Sequence, residues 1–289
     1  MLMPGSEHTA IQTDLRSHAP GPLIDTHCHF DVPLFLDDEA VSVRRAQDAG
    51  ITDIIIPAVD SHHFDLILQL AQRWPGLHAA LGLHPLYIAR HDDEDLALLD
   101  ARLQSHRKEV VAVGEVGLDL YMDDPQFDRQ CHFLGEQLAL ARRHNLPAIL
   151  HSRRTHDRLA AILRRCSLPR TGVVHGFSGS YEQAMAFVRL GYCIGIGGTI
   201  TYPRASKTRK AIAQLPLECL LLETDAPDMP VYGHQGAPNR PERIRNVLSS
   251  LCELREETPA QIVAALLANT RRVFDLADRG TGPAEVSKS

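Results

Sequence analysis

Short runs of apolar, often β-branched residues, bounded by turn formers, alternate along the chain with longer stretches whose apolar positions recur every three to four residues. The short runs read as strands covered on both faces, and the longer stretches as amphipathic helices packed over them. Eight strands are predicted, at residues 23–30, 51–59, 77–84, 110–118, 147–151, 172–177, 192–197 and 219–224. Helices are predicted between them at 37–49, 62–73, 94–106, 125–144, 156–166, 181–190 and 206–214, and after them at 242–253, 259–268 and 270–277. Pro125 and Pro241 suit first helical turns, while Gly50 and Gly191 suit helix C-termini. Eight β/α units in series predict an α/β fold, a closed (β/α)8 TIM barrel, with a doubly wound sheet as the alternative. Residues 23–278 read as one domain without an internal linker, preceded by a disordered N-terminal extension at 1–22 and followed by a disordered tail at 279–289.

Polar residues interrupt the apolar runs at their C-terminal ends, the side on which barrel enzymes assemble their sites. The first run closes with Asp25-Thr26-His27-Cys28-His29-Phe30. At a period of two, His27 and His29 face one way and Cys28 the other, so the imidazoles can share an ion that the thiol cannot reach. Cys28 is left to packing. The fourth run inserts Glu115 between valines, and a buried carboxylate needs a proton, a cation or a metal ion. An ion pair with Arg153 is one solution, and a metal ion is the other. Asp119 can equally cap the next turn or helix. His151 and His175 follow the fifth and sixth runs directly. The eighth ends in Glu223-Thr224-Asp225, with Asp225 at the rim and Glu223 one layer deeper, where it can hydrogen-bond a ligating imidazole. His84, in Gly82-Leu83-His84-Pro85, closes the third run and is expected to face the cleft as a substrate contact or outer ligand. His8, His18, His62, His63, His91, His106, His132, His144, His156 and His234 fall in predicted helices or loops and are expected on the surface.

His27, His29, Glu115, His151, His175 and Asp225 exceed the needs of one tetrahedral site, so two divalent ions bridged by Glu115 are expected. Imidazole-rich donors suit Zn²⁺ or Mn²⁺, and open mixed sites also admit Mg²⁺. Paired ions serve hydrolysis at phosphoryl or acyl centres. Glu115 and Asp225 are the expected catalytic residues, with Asp225 orienting the attacking water and taking its proton.

Composition narrows the class. The chain has 289 residues, 44% hydrophobic and 23% charged, which excludes disordered and fibrous proteins. No apolar run reaches the roughly 18 residues that span a bilayer, and Glu7 and Asp14 interrupt the start where a signal peptide is apolar. A cytoplasmic protein with no membrane association and no evident obligate protein partner is expected. The six cysteines are scattered without a CxxC pair and read as reduced. The net charge of −6 is uneven: residues 142–210 carry a balance of +11, leaving −17 elsewhere. Solvated helix faces account for Arg164 and Arg165, and a polyanionic substrate is the sharper reading.

Gly197-Gly198-Thr199-Ile200-Thr201-Tyr202-Pro203-Arg204-Ala205-Ser206-Lys207 follows the seventh strand, where barrels frequently bind phosphate, so Arg204, Lys207 and the local amides form a candidate anion cradle. A plain glycine turn explains the same stretch. With Arg153 and His84 these residues make the expected substrate contacts, and Phe177 or Tyr202 can stack on a base or simply pack. The expected substrate is DNA or a small phosphodiester. A two-metal hydrolase of a carboxylic amide or ester, including aminoacyl esters, is the first alternative, and a non-catalytic DNA- or metal-binding protein the second.

These motifs, taken in order, resemble the TatD family of metal-dependent hydrolases, within the amidohydrolase-like superfamily of TIM barrels. The resemblance rests on Asp25 to His29, Gly82 to Pro85, Val113 to Asp119, Leu150 to Arg153, His175 to Ser180 and Glu223 to Pro227. Residues 197–209, Asp228-Met229-Pro230 and Pro238-Asn239-Arg240-Pro241-Glu242 look closest to a bacterial subgroup of metal-dependent hydrolases. The resemblance implies that His27, His29, Glu115 and Asp225 hold one ion and Glu115, His151 and His175 the other. It also implies divalent-metal-dependent DNase activity, often exonucleolytic from the 3′ end. Leu86 departs from the second histidine that many members carry after His-Pro.

Overall fold

The computed structural model describes Leu15 and residues 20–277. The disorder expected at 1–22 and 279–289 concerns stretches that, apart from Leu15 and positions 20–22, lie outside the described residues. Eight parallel strands follow one another in chain order: β1 (Leu23–Asp25), β2 (Ile51–Pro57), β3 (Leu77–Leu81), β4 (Val110–Asp119), β5 (Ala148–Arg153), β6 (Gly172–Val174), β7 (Cys193–Ile196) and β8 (Leu220–Leu222). All eight fall where the apolar runs predict them. Several are shorter, because their C-terminal ends leave the ladder to present side chains at the barrel mouth. The barrel closes there: Thr26 N donates to Leu222 O at 3.0 Å, Asp225 N to His27 O at 2.8 Å, and His29 N to Ala226 O at 2.8 Å.

The helices form the outer layer: α1 (Pro33–Leu36), α2 (Glu39–Asp48), α3 (Phe64–Arg73), α4 (Asp93–Ser105), α5 (Phe127–His144), α6 (His156–Arg165), α7 (Tyr181–Val188), α8 (Ser206–Gln214), α9 (Ile244–Leu254) and α10 (Pro259–Phe274). The barrel interior is apolar, with Ile55, Ala80, Ala112, Ile149, Val173, Cys193 and Leu221 packed together and Val273 and Phe274 of α10 against them. Each of β2 to β8 contributes one residue, as a filled barrel requires.

Besides the short helix α1, which the sequence reading did not include, two helical readings are corrected. Residues 259–268 and 270–277 do not form separate helices; α10 runs unbroken to Phe274. Asn269 sends its amide to Leu217 O and Leu220 O, and the Thr270 hydroxyl donates to Leu266 O, so neither competes with the helix. Pro125 lies outside α5, separated from it by Gln126 at φ 40°. No helix among the described residues is long and apolar enough to cross a membrane.

Candidate metal centre

Glu115 reaches the barrel mouth through an irregularity in its strand. Val113 pairs with Ala148 and Val116 with Leu150, so three residues of β4 stand against two of β5. Such a bulge re-aims the side chain it carries. The Glu115 carboxylate is buried, and its two oxygens face two different groups of donors.

Oε2 lies 3.2 Å from His27 Nε2 and 3.7 Å from His29 Nε2. Asp225 Oδ1 is 3.5 Å from the first nitrogen and 3.6 Å from the second, and the two nitrogens are 3.4 Å apart. A tetrahedron with metal–ligand bonds of 2.0–2.1 Å has edges of about 3.3–3.4 Å. These four atoms already stand at nearly that spacing. Asp225 itself sits at φ 57°, in the left-handed region that Asp tolerates better than most residues.

Oε1 faces the other way. His151 Nδ1 is 2.8 Å from it, His175 Nε2 2.6 Å and His84 Nε2 2.9 Å, with His151 Nδ1 and His175 Nε2 3.3 Å apart. His84 is thus closer to the centre than an outer substrate contact, although its Nδ1 also accepts from Leu86 N. Of the two caps open to Asp119 it makes the turn cap, with Oδ1 accepting from Tyr121 N at 2.6 Å, and its Oδ2 lies 2.9 Å from His151 Nε2, a contact the sequence reading did not include.

Behind the donors, Asp25 ties β1 to β8. Its Oδ1 accepts from Thr224 N at 3.0 Å and its Oδ2 from the Thr224 hydroxyl at 2.6 Å. Glu223 is deeper, as expected, but does not reach its imidazole. Oε1 is 3.8 Å from His175 Nδ1, and the carboxylate accepts from Gly176 N instead. Glu223 Oε2, His175 Nδ1 and His27 Nδ1 are buried without a hydrogen-bond partner among the described residues.

Burial is the largest single influence on each of these ionisable groups, and their neighbours decide which way each one moves. Burial raises Asp225 to about 7, against the pull of His175 and His29, and raises Asp25 to about 8. Burial pushes His27 well below, and His84 to about 4. Burial opposes ionisation of Glu115 too, yet the imidazoles of His175, His84 and His27 outweigh it and hold the carboxyl well below its usual range. The balancing charge falls on His175, which burial would lower but Glu115 drives well above the ordinary histidine value. An ionised Glu115 balanced by a proton on His175, among other donors that resist charging, is a set in which a divalent cation can take the place of the proton. The residues fit such ions, and no lysine enters the cluster.

All of these donors except the fully buried His27 line a cavity of about 920 Å³ at the C-terminal mouth of the barrel. His84 and Arg153 line it, as expected, and Arg153 lies over the Tyr121 ring at 3.9 Å rather than pairing with Glu115. Arg204 and Lys207 are not among the lining residues; of residues 197–207 only Thr199 is. Within the candidate cradle the amides of Ile200, Tyr202 and Ala205 donate to Gly197 O, Thr199 O and Tyr202 O, so these three close the local turn. Phe177 is buried against His156, which makes it packing rather than a stacking platform. Tyr202 donates its hydroxyl to Pro230 O.

Sequence reasoning placed His63, His91 and His156 on the surface. His91 is buried with its Nε2 2.9 Å from His84 O, and His63 and His156 line the cavity. Arg90, Arg154, Tyr87 and Asp31 also line it and were not singled out. The only sequence signal for Arg154 is its place directly after Arg153.

A model of the TatD related DNase family matches residues 24–275. The Escherichia coli (strain K12) protein named "Uncharacterized metal-dependent hydrolase YjjV" is 59% identical over 253 residues, covering 88% of this chain and 98% of that protein. Its crystal structure superposes with a TM-score of 0.87 over 88% of this chain and 98% of that one. A Haemophilus influenzae metal-dependent hydrolase is 48% identical over 249 residues, covering 84% of this chain and 95% of its own. The Pantoea vagans protein named "3'-5' ssDNA/RNA exonuclease TatD" is 31% identical over 251 residues, again covering 84% and 95%.

Proposed function

Because this chain belongs to the TatD family of metal-dependent hydrolases, we propose that it is a phosphodiesterase that uses two divalent ions bridged by Glu115 and acts on single-stranded nucleic acid, releasing nucleotides from the 3′ end. His27, His29, Glu115 and Asp225 would hold one ion, and Glu115, His151 and His175 the other. When bound, the pair supplies Lewis acidity and a water that ionises at neutral pH. Asp225, at the rim of the cavity, orients the water and takes its proton.

The observation that carries the phosphodiester over a carboxylic ester is the guanidinium cluster of Arg90, Arg153 and Arg154 on the wall of the same cavity as the donors. Arg90 rests on Tyr87, and Arg153 and Arg154 both rest on Tyr121, which pre-orients their planar forks for phosphate oxygens. Apolar surface supports the same substrate. Leu86, Tyr121, Met229 and Tyr232, four of the five large hydrophobics exposed among the described residues, lie on the loops after β3, β4 and β8 at the mouth. Bases of a single strand can stack there. The name of the Pantoea vagans relative points the same way.

The test is digestion of an end-labelled single-stranded oligonucleotide with Mg²⁺ or Mn²⁺, by the natural protein and by the double variant Arg153→Glu/Arg154→Glu. Stepwise loss from the 3′ end, reduced at least about 10-fold in the variant, is the expected result, since each charged hydrogen bond contributes about 1.5–3 kcal/mol. Inactivity on DNA across metals, together with turnover of neutral esters that the double variant leaves intact, overturns the reading in favour of a carboxylic ester hydrolase.

A further inference from the structure

Hydrolysis of an ester needs two proton transfers, one from the attacking water and one to the departing oxygen. Asp225 accounts for the first, and no residue so far accounts for the second. The wall of the cavity formed by the loops after β1 and β2 holds an Asp–His pair that the metal centre does not use. Asp31 is buried, and its Oδ2 hydrogen-bonds His63 Nδ1. The His63 side chain is 34% exposed, lines the cavity, and offers an Nε2 that takes no hydrogen bond from any described residue.

We propose that His63, oriented by Asp31, donates the proton to the leaving-group oxygen. The inference rests on the hydrolytic reading of the site and not on which ester it cleaves. In the step, the water oxygen bonds to the electrophilic centre while its proton passes to Asp225. The bond from that centre to the leaving oxygen breaks, and the departing oxygen takes the proton from His63 Nε2. Solvent then removes the proton from Asp225 and restores the one on His63, so one water is consumed overall.

The geometry favours this role over a mere loop fastening. Asp31 accepts from Nδ1–H, so a second proton on the ring sits on Nε2, which no described residue engages, as an Asp–His pair that donates a proton requires. The turn that carries His63 is itself held: Asp60 accepts from His62 N, and Ser61 bonds Asp95 of α4. The charged and titratable neighbours of His63 are Asp31 from the loop after β1, Asp60 from its own turn, and His62 beside it, which is 90% exposed. The hydrogen bond to Asp31 holds His63 above the ordinary histidine value, against the burial that would lower it. Asp31 acts through His63 and is a positioning residue.

The test compares two thymidine phosphodiesters differing only in leaving group, 4-nitrophenolate, which departs without a proton, and an alkyl alcohol, which does not. Turnover of the 4-nitrophenyl diester by the natural protein decides the phosphodiester reading; if it is absent, the same pair of leaving groups is compared on acetate esters. The variants are His63→Gln and Asp31→Asn, with metal content measured for each. His63→Gln is expected to lower kcat on the alkyl substrate about 100-fold or more, while leaving the 4-nitrophenyl rate and bound metal nearly unchanged. Asp31→Asn should lower the same ratio by less. Equal losses on both leaving groups, or no loss on the alkyl one, overturn the proposal whichever ester the protein cleaves.

Discussion

Asp119 and His151 face each other across the β4–β5 pair, with Asp119 Oδ2 2.9 Å from His151 Nε2. This contact turns Nδ1 of the same ring toward Glu115 Oε1 at 2.8 Å. Ring orientation and tautomer at β5 are therefore set from behind the centre. Carboxylates that hold a ligating imidazole in this way typically account for 10–100-fold in metal affinity, by about that factor in other sites. Asp119→Asn is expected to weaken one of two binding steps by about that much in a calorimetric Zn²⁺ titration and to leave the other step unchanged. Equal weakening of both steps would refute the separation of the two donor groups.

Gly195 in β7 is fixed by what stands behind His175. A Cβ there would lie 2.3 Å from Glu223 Oε2 and 2.8 Å from the backbone Cα of His175. Gly195→Ala should cost about 1–3 kcal/mol of stability by overpacking, read from urea unfolding, with weaker metal binding because His175 must shift.

Asp25 fastens β8 to β1 at the point where the barrel closes. Asp25→Ala orphans the buried Thr224 N–H, and the expected loss is about 1–3 kcal/mol. Asp25→Asn keeps an acceptor for that amide and should lose less. Identical unfolding midpoints for the two variants would show that the hydrogen bond does not hold the closure.

Metal removal should also appear in stability, because ions that bind the native state alone stabilise it by mass action. At 100 times the dissociation constant the gain is about 2.7 kcal/mol per site. Chelation of the purified protein should lower its thermal midpoint, and readdition of Mn²⁺ or Zn²⁺ should restore it. A midpoint that does not move would mean the donors hold no ion.

Most of the centre was legible because parallel barrel strands are continuous apolar runs, and a His, Glu or Asp closing one has no packing reason to be there. His27, His29, Glu115, His151, His175 and Asp225 all stood out on that ground, and the structure brings them into one cluster. The substrate wall was legible only at His84 and Arg153. His63 sits in a turn with no apolar period around it, and only folding brings Asp31 from another loop to its Nδ1. Arg204 and Lys207 were suggested by a glycine-rich stretch, yet neither lines the cavity, and three amides of that stretch close its own turn. The bulge that aims Glu115 inward depends on the pairing of β4 with β5, which the sequence of β4 alone does not contain.

The division of labour between the Glu115 oxygens is the claim on which the rest depends, and anomalous diffraction from crystals soaked in Mn²⁺ tests it most directly. Two peaks are predicted, one among Glu115 Oε2, His27, His29 and Asp225 and the other among Glu115 Oε1, His151 and His175. A single peak, or strong peaks elsewhere with none on either side of Glu115, would contradict it.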